Sequence, residues 1–164
     1  MKNYEDNLSE NDRYLWQRVF ETETDFYQAS MDFMANATNR VAVVRHAFST
    51  RQRGTALRLL LILPMEERLL LFDELVEMAS HGHSDIELVR EAILSLPREW
   101  VIANIESRAE PWLQAGEDEY RRYLELYYDL DKELTLRLAQ QALRQPDPET
   151  REAGEDFLER LNNG

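Results

Sequence analysis

The sequence predicts an all-α protein built from repeated helical hairpins, and three observations predict it. Leucine occurs 24 times against 12 for valine plus isoleucine, a bias toward side chains that lose little rotamer freedom on a helix. Second, one apolar face recurs: Ala56, Leu59, Leu60 and Leu63 are matched 33 residues later by Val89, Ala92, Ile93 and Leu96, and 34 residues further by Tyr123, Leu126, Tyr127 and Leu130. Offsets of 0, 3, 4 and 7 are one face of an α-helix, and this period is that of stacked helical hairpins. Third, the breaks carry helix-start and helix-stop chemistry, most plainly Pro64, Pro97 and Asp147-Pro148-Glu149.

Taken in order, residues 1–10 read as a flexible polar tail and residues 11–48 as an N-terminal helical cap. The first helix spans about 11–35, with Leu15, Val19, Phe26, Ala29 and Phe33 at helical spacing. Trp16, Phe20, Tyr27, Met31 and Met34 widen that stripe beyond a coiled-coil seam, and Thr22-Glu23-Thr24 is where it is expected to kink. As the outermost layer of a stack it has one neighbour, so it is expected to fold back over the first repeat or to pair two copies of the chain as a homodimer.

Val41-Ala42-Val43-Val44 is strand-like, but a lone strand has no partner, so a short helix is expected over 40–48. Ser49 or Thr50 is the expected cap of a central helix carrying Ala56 to Leu63. Pro64 with Glu66 and Glu67 opens the next helix, and Gly82 is expected just past its end. Ser84-Asp85-Ile86-Glu87 matches a capping box. Pro97 and Glu99 start another helix, which Pro111 stops and Gly116 closes. A helix over 118–128 follows, then one capped by Asp129 or Asp131 and running to Gln145, then a last helix from Asp147-Pro148-Glu149 to Leu161.

The 164 residues fit a single domain with repeats over 49–161. Cysteine is absent, which removes disulfides, thiol nucleophiles and thiolate metal sites from consideration. Met1 to Asp12 lack a signal-peptide layout, and the longest apolar run, Leu59 to Met65, is seven residues, too short for a bilayer. A soluble, cytoplasmic protein is expected. The net charge of −13 argues against nucleic acid and anionic membrane as partners. The charge is uneven, because Phe33 to Met65 contains no acid and five arginines, Arg40, Arg45, Arg51, Arg53 and Arg58.

Helix pairs at this period, with breaks such as Gln145-Pro146-Asp147-Pro148-Glu149-Thr150-Arg151-Glu152-Ala153, resemble HEAT or armadillo-type repeats from about Thr50 to Leu161. These copies are shorter than the usual repeat of those families, so a tetratricopeptide-like stack or an irregular bundle stays open. The resemblance implies a short right-handed α-solenoid of about three hairpins that acts as a binding scaffold. Fold alone does not decide function.

Catalytic and metal patterns are thin. His81-Gly82-His83-Ser84-Asp85, with Glu77 a turn earlier, gathers two imidazoles and carboxylates, but a metal needs three or four converging ligands. A helix C-terminus is an ordinary place for histidine, and no metal or cofactor is predicted. Acid pairs such as Asp73 with Glu77 read as a solvated face among 32 acids. The five glycines are never closer than ten residues, so no glycine-rich phosphate loop exists. Contact candidates are Arg45, Arg51, Arg53 and Arg58, whose guanidiniums suit an acidic or phosphorylated ligand, together with Trp112, Tyr120 and Tyr128. The competing reading is that the arginines pair with acids of neighbouring helices, leaving Arg51 and Arg53 free. The expected function is a non-enzymatic interaction module binding another protein. The alternatives are a helical-repeat enzyme of glycosylase or lyase type, and a helical bundle acting as an oligomerisation or regulatory subunit.

Overall fold

In the computed structural model, residues 8–114 and 117–163 are described, so residues 1–7 of the expected tail over 1–10 and the closing Gly116 lie outside them. Ten α-helices and one 3-10 turn, with no strand, make up the described residues: α1 Glu10–Asn36, α2 Arg40–Phe48, α3 Arg53–Leu60, α4 Met65–Leu69, α5 Phe72–Ser80, α6 Ile86–Leu94, α7 Arg98–Ala109, α8 Glu117–Leu130, α9 Lys132–Ala142 and α10 Pro148–Asn163. The protein is all-α. Among the described residues no helix is long and apolar enough to cross a membrane. The chain divides into two compact units between Arg40 and Val41, so nearly all of α2 belongs with the later helices.

The first unit is α1. Ser9 caps it, its hydroxyl accepting from the Asp12 amide at 3.0 Å, and Glu10 and Asp12 sit in the first turn, where carboxylates favour the dipole. The helix runs through Thr22-Glu23-Thr24 without a break. Both threonine hydroxyls donate to helix carbonyls one turn back, Thr22 to Arg18 at 2.8 Å and Thr24 to Phe20 at 2.9 Å. Back-bonding of that kind leaves the backbone ladder in place. Arg40 closes the far end on the Met34 carbonyl at 2.9 Å.

In the second unit α3 packs on α6, α5 on α6, α7 and α8, and α10 on both α8 and α9. Of the twelve residues of the recurring face only Leu59 is partly exposed, the rest being buried. The core extends from Leu57 and Leu60 through Phe72, Ile93 and Ile105 to Tyr123, Tyr127 and Phe157. Tyr123 donates to the Val76 carbonyl at 2.8 Å, joining α8 to α5. Burial pushes the phenols of Tyr123 and Tyr127 far up from their usual range. Gly154 lets α10 approach α9, since a Cβ there would lie 2.8 Å from the Ala139 carbonyl oxygen.

Several expected starts are as drawn from sequence. Asp131 accepts from the amides of Glu133 and Leu134 at 2.9 and 3.0 Å, and Asp147 from Thr150 at 2.6 Å. Those backbone bonds hold the Asp147 carboxyl below its usual pKa. Pro64 and Pro97 stand immediately before α4 and α7.

Four local expectations differ. The central helix starts at Arg53, with neither Ser49 nor Thr50 as its cap. Thr50 donates to the Ala47 carbonyl at 2.9 Å and terminates α2 instead. That helix also ends at Leu60, leaving Ile62 half exposed. The helix after Pro64 is two, α4 and α5. At the break the Leu70 carbonyl accepts from Arg45 at 2.6 Å rather than continuing the ladder. The Ser84 capping box does not form. Asp85 precedes α6 without a side-chain cap, and its carboxylate faces Arg53 at 3.1 Å. Gly82 does stand just past the end of α5, as expected, with no positive φ. What it provides is room, because a Cβ there would stand 2.8 Å from Arg122 Nη2.

Cross-helix ion pairs follow the sequence period. Arg53–Asp85, Arg98–Asp131, Arg108–Asp73, Arg121–Asp156 and Arg137–Glu106 span 31 to 35 residues. Partly exposed pairs contribute only about 0–1 kcal/mol each. They mark register more than they hold the fold.

Candidate interaction surfaces

Many large apolar side chains of α1 are exposed. Trp16 is 71% exposed, Tyr27 63%, Val19 and Phe20 56%, Leu15 49%, Met31 45% and Phe26 41%. Helical geometry puts all seven on one broad arc. A helix of 27 residues exceeds the length at which isolated helices are marginal, about 12–15 residues. Side-chain bonds at i,i+4 add support, Gln17 to Glu21 at 3.0 Å and Gln28 to Asp32 at 3.3 Å. At about 150–250 Å² for a buried aromatic side chain, these exposures leave roughly 700 Å² of apolar surface open once the aliphatic members are included. Contiguous patches of that size mark interaction surfaces. The sequence offers this helix as a possible dimer surface through the width of its stripe, although none of these seven residues is among the individual contact candidates.

The arginine window is mostly committed. Arg45 pairs with Glu74 and bonds the Leu70 carbonyl. Arg53 pairs with Asp85 at 3.1 Å, so it is not the free residue that sequence reasoning favours. Its partner lies 32 residues away. Arg51 lies in the turn before α3 and Arg58 on α3; both are exposed and form no ion pair among the described residues. They therefore do not share one helix face.

The aromatic candidates separate. Tyr120 is 4% exposed, a core residue whose phenol is pushed up by burial, with a Gln141 hydrogen bond acting the other way. Half-buried Trp112 meets His81 edge-on at 5.7 Å. Tyr128, 39% exposed, stacks edge-on against Phe157 at 5.9 Å, and Arg160 lies over the Phe157 ring at 4.5 Å. Tyr128, Asp156, Glu159, Arg160 and Asn163 line an open groove of about 480 Å³.

The histidine cluster is tied to the loop. His83 Nδ1 accepts from the Asp85 amide at 3.1 Å, which leaves Nε2 to donate to the Met78 carbonyl at 3.2 Å. Burial and then the nearby Arg53 charge hold its pKa below the usual imidazole value. His81 Nδ1 lies 3.0 Å from the Glu77 carbonyl. Among the described residues no three His, Asp or Glu side chains are arranged to hold a metal ion. Arg68 is the one buried cation among the described residues. It bonds the Ser95 carbonyl at 3.1 Å and the Ser95 hydroxyl, tying α4 to the end of α6. Desolvation lowers its pKa.

No protein-family model, curated protein or solved structure matches the chain.

Proposed function

We propose that this chain is a non-enzymatic protein-binding module: a short α-solenoid of about three HEAT-like hairpins carrying an N-terminal helix that docks on another polypeptide. The observation that carries it is the open apolar arc of α1, whose aromatic content is the composition of binding hot spots. The solenoid part is supported by packing of helices that are not neighbours in sequence, α3 on α6, α5 on α7 and α8 on α10, and by ion pairs at the repeat period. Arg51 and Arg58 supply a secondary cationic contact, suited to an acidic segment of the bound chain.

The test is affinity capture from the source cell with the full chain as bait, beside a Trp16→Ala, Phe20→Ala double variant whose helical circular dichroism matches wild type. The proposal expects a polypeptide held by wild type, a tagged second copy included, and lost from the variant. Identical retention by the two baits contradicts it.

A further inference from the structure

A half-open cavity of about 180 Å³ lies in the second unit, where the C-terminal end of α7 meets α8, α9 and the 3-10 turn. Its floor is apolar: Leu113, Tyr127 and Leu138 line it and are 8%, 1% and 3% exposed. Glu106, Ser107, Glu110 and Gln141 are exposed and form its rim. Helix α8 buries three tyrosines, and two of their hydroxyls are engaged. Tyr123 donates to the Val76 carbonyl, and Tyr120 meets Gln141. The Tyr127 hydroxyl forms no hydrogen bond among the described residues. Buried polar groups are nearly always hydrogen-bonded, so one left open calls for a partner that the chain itself does not supply. Burial, and then the nearby Glu106 charge, push this phenol up, which keeps it a neutral O–H at ordinary pH.

The rim favours a cation. Glu106 and Ser107 lie in the last turn of α7 and Glu110 is its C-cap, the end where the helix dipole is negative. Pro111 has no N–H to offer the Ser107 carbonyl. Glu110 forms no ion pair among the described residues. The neighbouring arginines are committed elsewhere. Arg137 holds both oxygens of Glu106, at 2.9 and 2.8 Å. Arg108 holds Asp73 at 2.6 Å and the Asn104 carbonyl at 3.1 Å. Ser107 donates its proton to the Asn104 carbonyl at 3.2 Å, which leaves its oxygen as an acceptor.

We infer that this cavity binds an alkylammonium group, its chain against Leu113, Tyr127 and Leu138 and its nitrogen between Glu110 and the Tyr127 hydroxyl. An ammonium brings three donors and no acceptor, which matches a mouth built mainly of acceptors. At about 30 Å³ per water the cavity equals about six waters, room for a chain of a few carbons with its head group. Drug-sized ligands need roughly 300–1,000 Å³. A free amine and a lysine side chain both present this group. The site lies wholly within the second unit and does not depend on α1.

Two measurements on the full chain test it. Amide chemical shifts titrated with n-butylammonium at about pH 7, where the amine is charged, should move along residues 106–113 and 138–141. The expected Kd is about 1 mM, within reach of so small a ligand. Neutral n-butanol and anionic butyrate should bind about tenfold more weakly or not at all, and Glu110→Gln should weaken the amine about tenfold while leaving n-butanol unchanged. Nα-acetyl-lysine amide separates the sources. Binding as tight as that of n-butylammonium assigns a lysine of another polypeptide, and binding of n-butylammonium alone assigns a free amine; either supports the site. Thermal midpoints check the open hydroxyl. Tyr127→Phe should leave the midpoint unchanged or raise it while weakening the amine severalfold, whereas Tyr123→Phe, which loses a bond, should lower the midpoint. Equal losses of midpoint in the two variants would show that the Tyr127 hydroxyl is already bonded and overturn the inference. So would n-butanol binding as tightly as n-butylammonium, or no shift with any of these ligands up to about 20 mM, the behaviour of a cavity that holds water only.

Discussion

Both ring nitrogens of His83 are engaged, one accepting from the Asp85 amide and the other donating to the Met78 carbonyl. The Arg53 guanidinium and burial oppose a proton on that ring. The folded pKa is therefore lower than the unfolded one. At pH values near and below about 6.5 the unfolded chain binds the extra proton. This contribution to stability is complete above about pH 6.5 and shrinks as pH falls toward the folded value. Denaturant midpoints from about pH 7.5 to about 5.5 should fall more for wild type than for His83→Gln, which cannot titrate. Equal losses in the two proteins would contradict this account of the loop.

At the scale of elements, the recurring face is buried where α3 packs on α6 in the second unit. Leu60 and Ile93 are fully buried there. Leu60→Ala or Ile93→Ala should each cost about 2–5 kcal/mol, the range for large-to-small core changes. Denaturant melts within a few tenths of wild type for both would refute the shared core. This face is legible in the sequence because helical burial leaves a periodic imprint, as do caps satisfied within a few residues, such as Asp131 and Asp147. What was not legible depends on partners far along the chain. Asp85 is drawn from capping α6 to an ion pair with Arg53, 32 residues away. Where the helix after Pro64 breaks, Arg45 bonds the Leu70 carbonyl, 25 residues away. The contact candidates divide for the same reason. Arg45 and Arg53 are committed, Arg51 and Arg58 remain exposed, and Tyr120 belongs to the core.

At the scale of the whole molecule, the two units place their apolar surface differently. From Val41 on, the large side chains are mostly inside, as with Tyr123, Tyr127 and Phe157. Along α1 many are outside, Trp16 and Tyr27 most of all. The central claim is that this exposed arc is completed by another polypeptide. Amide hydrogen exchange on the full chain, with and without the polypeptide that it captures, tests it most directly. Docking predicts that protection of residues 15–31 rises on binding in wild type and not in the Trp16→Ala, Phe20→Ala variant, while protection of α6 stays constant in both. Protection along α1 that is the same with and without the bound chain would contradict it.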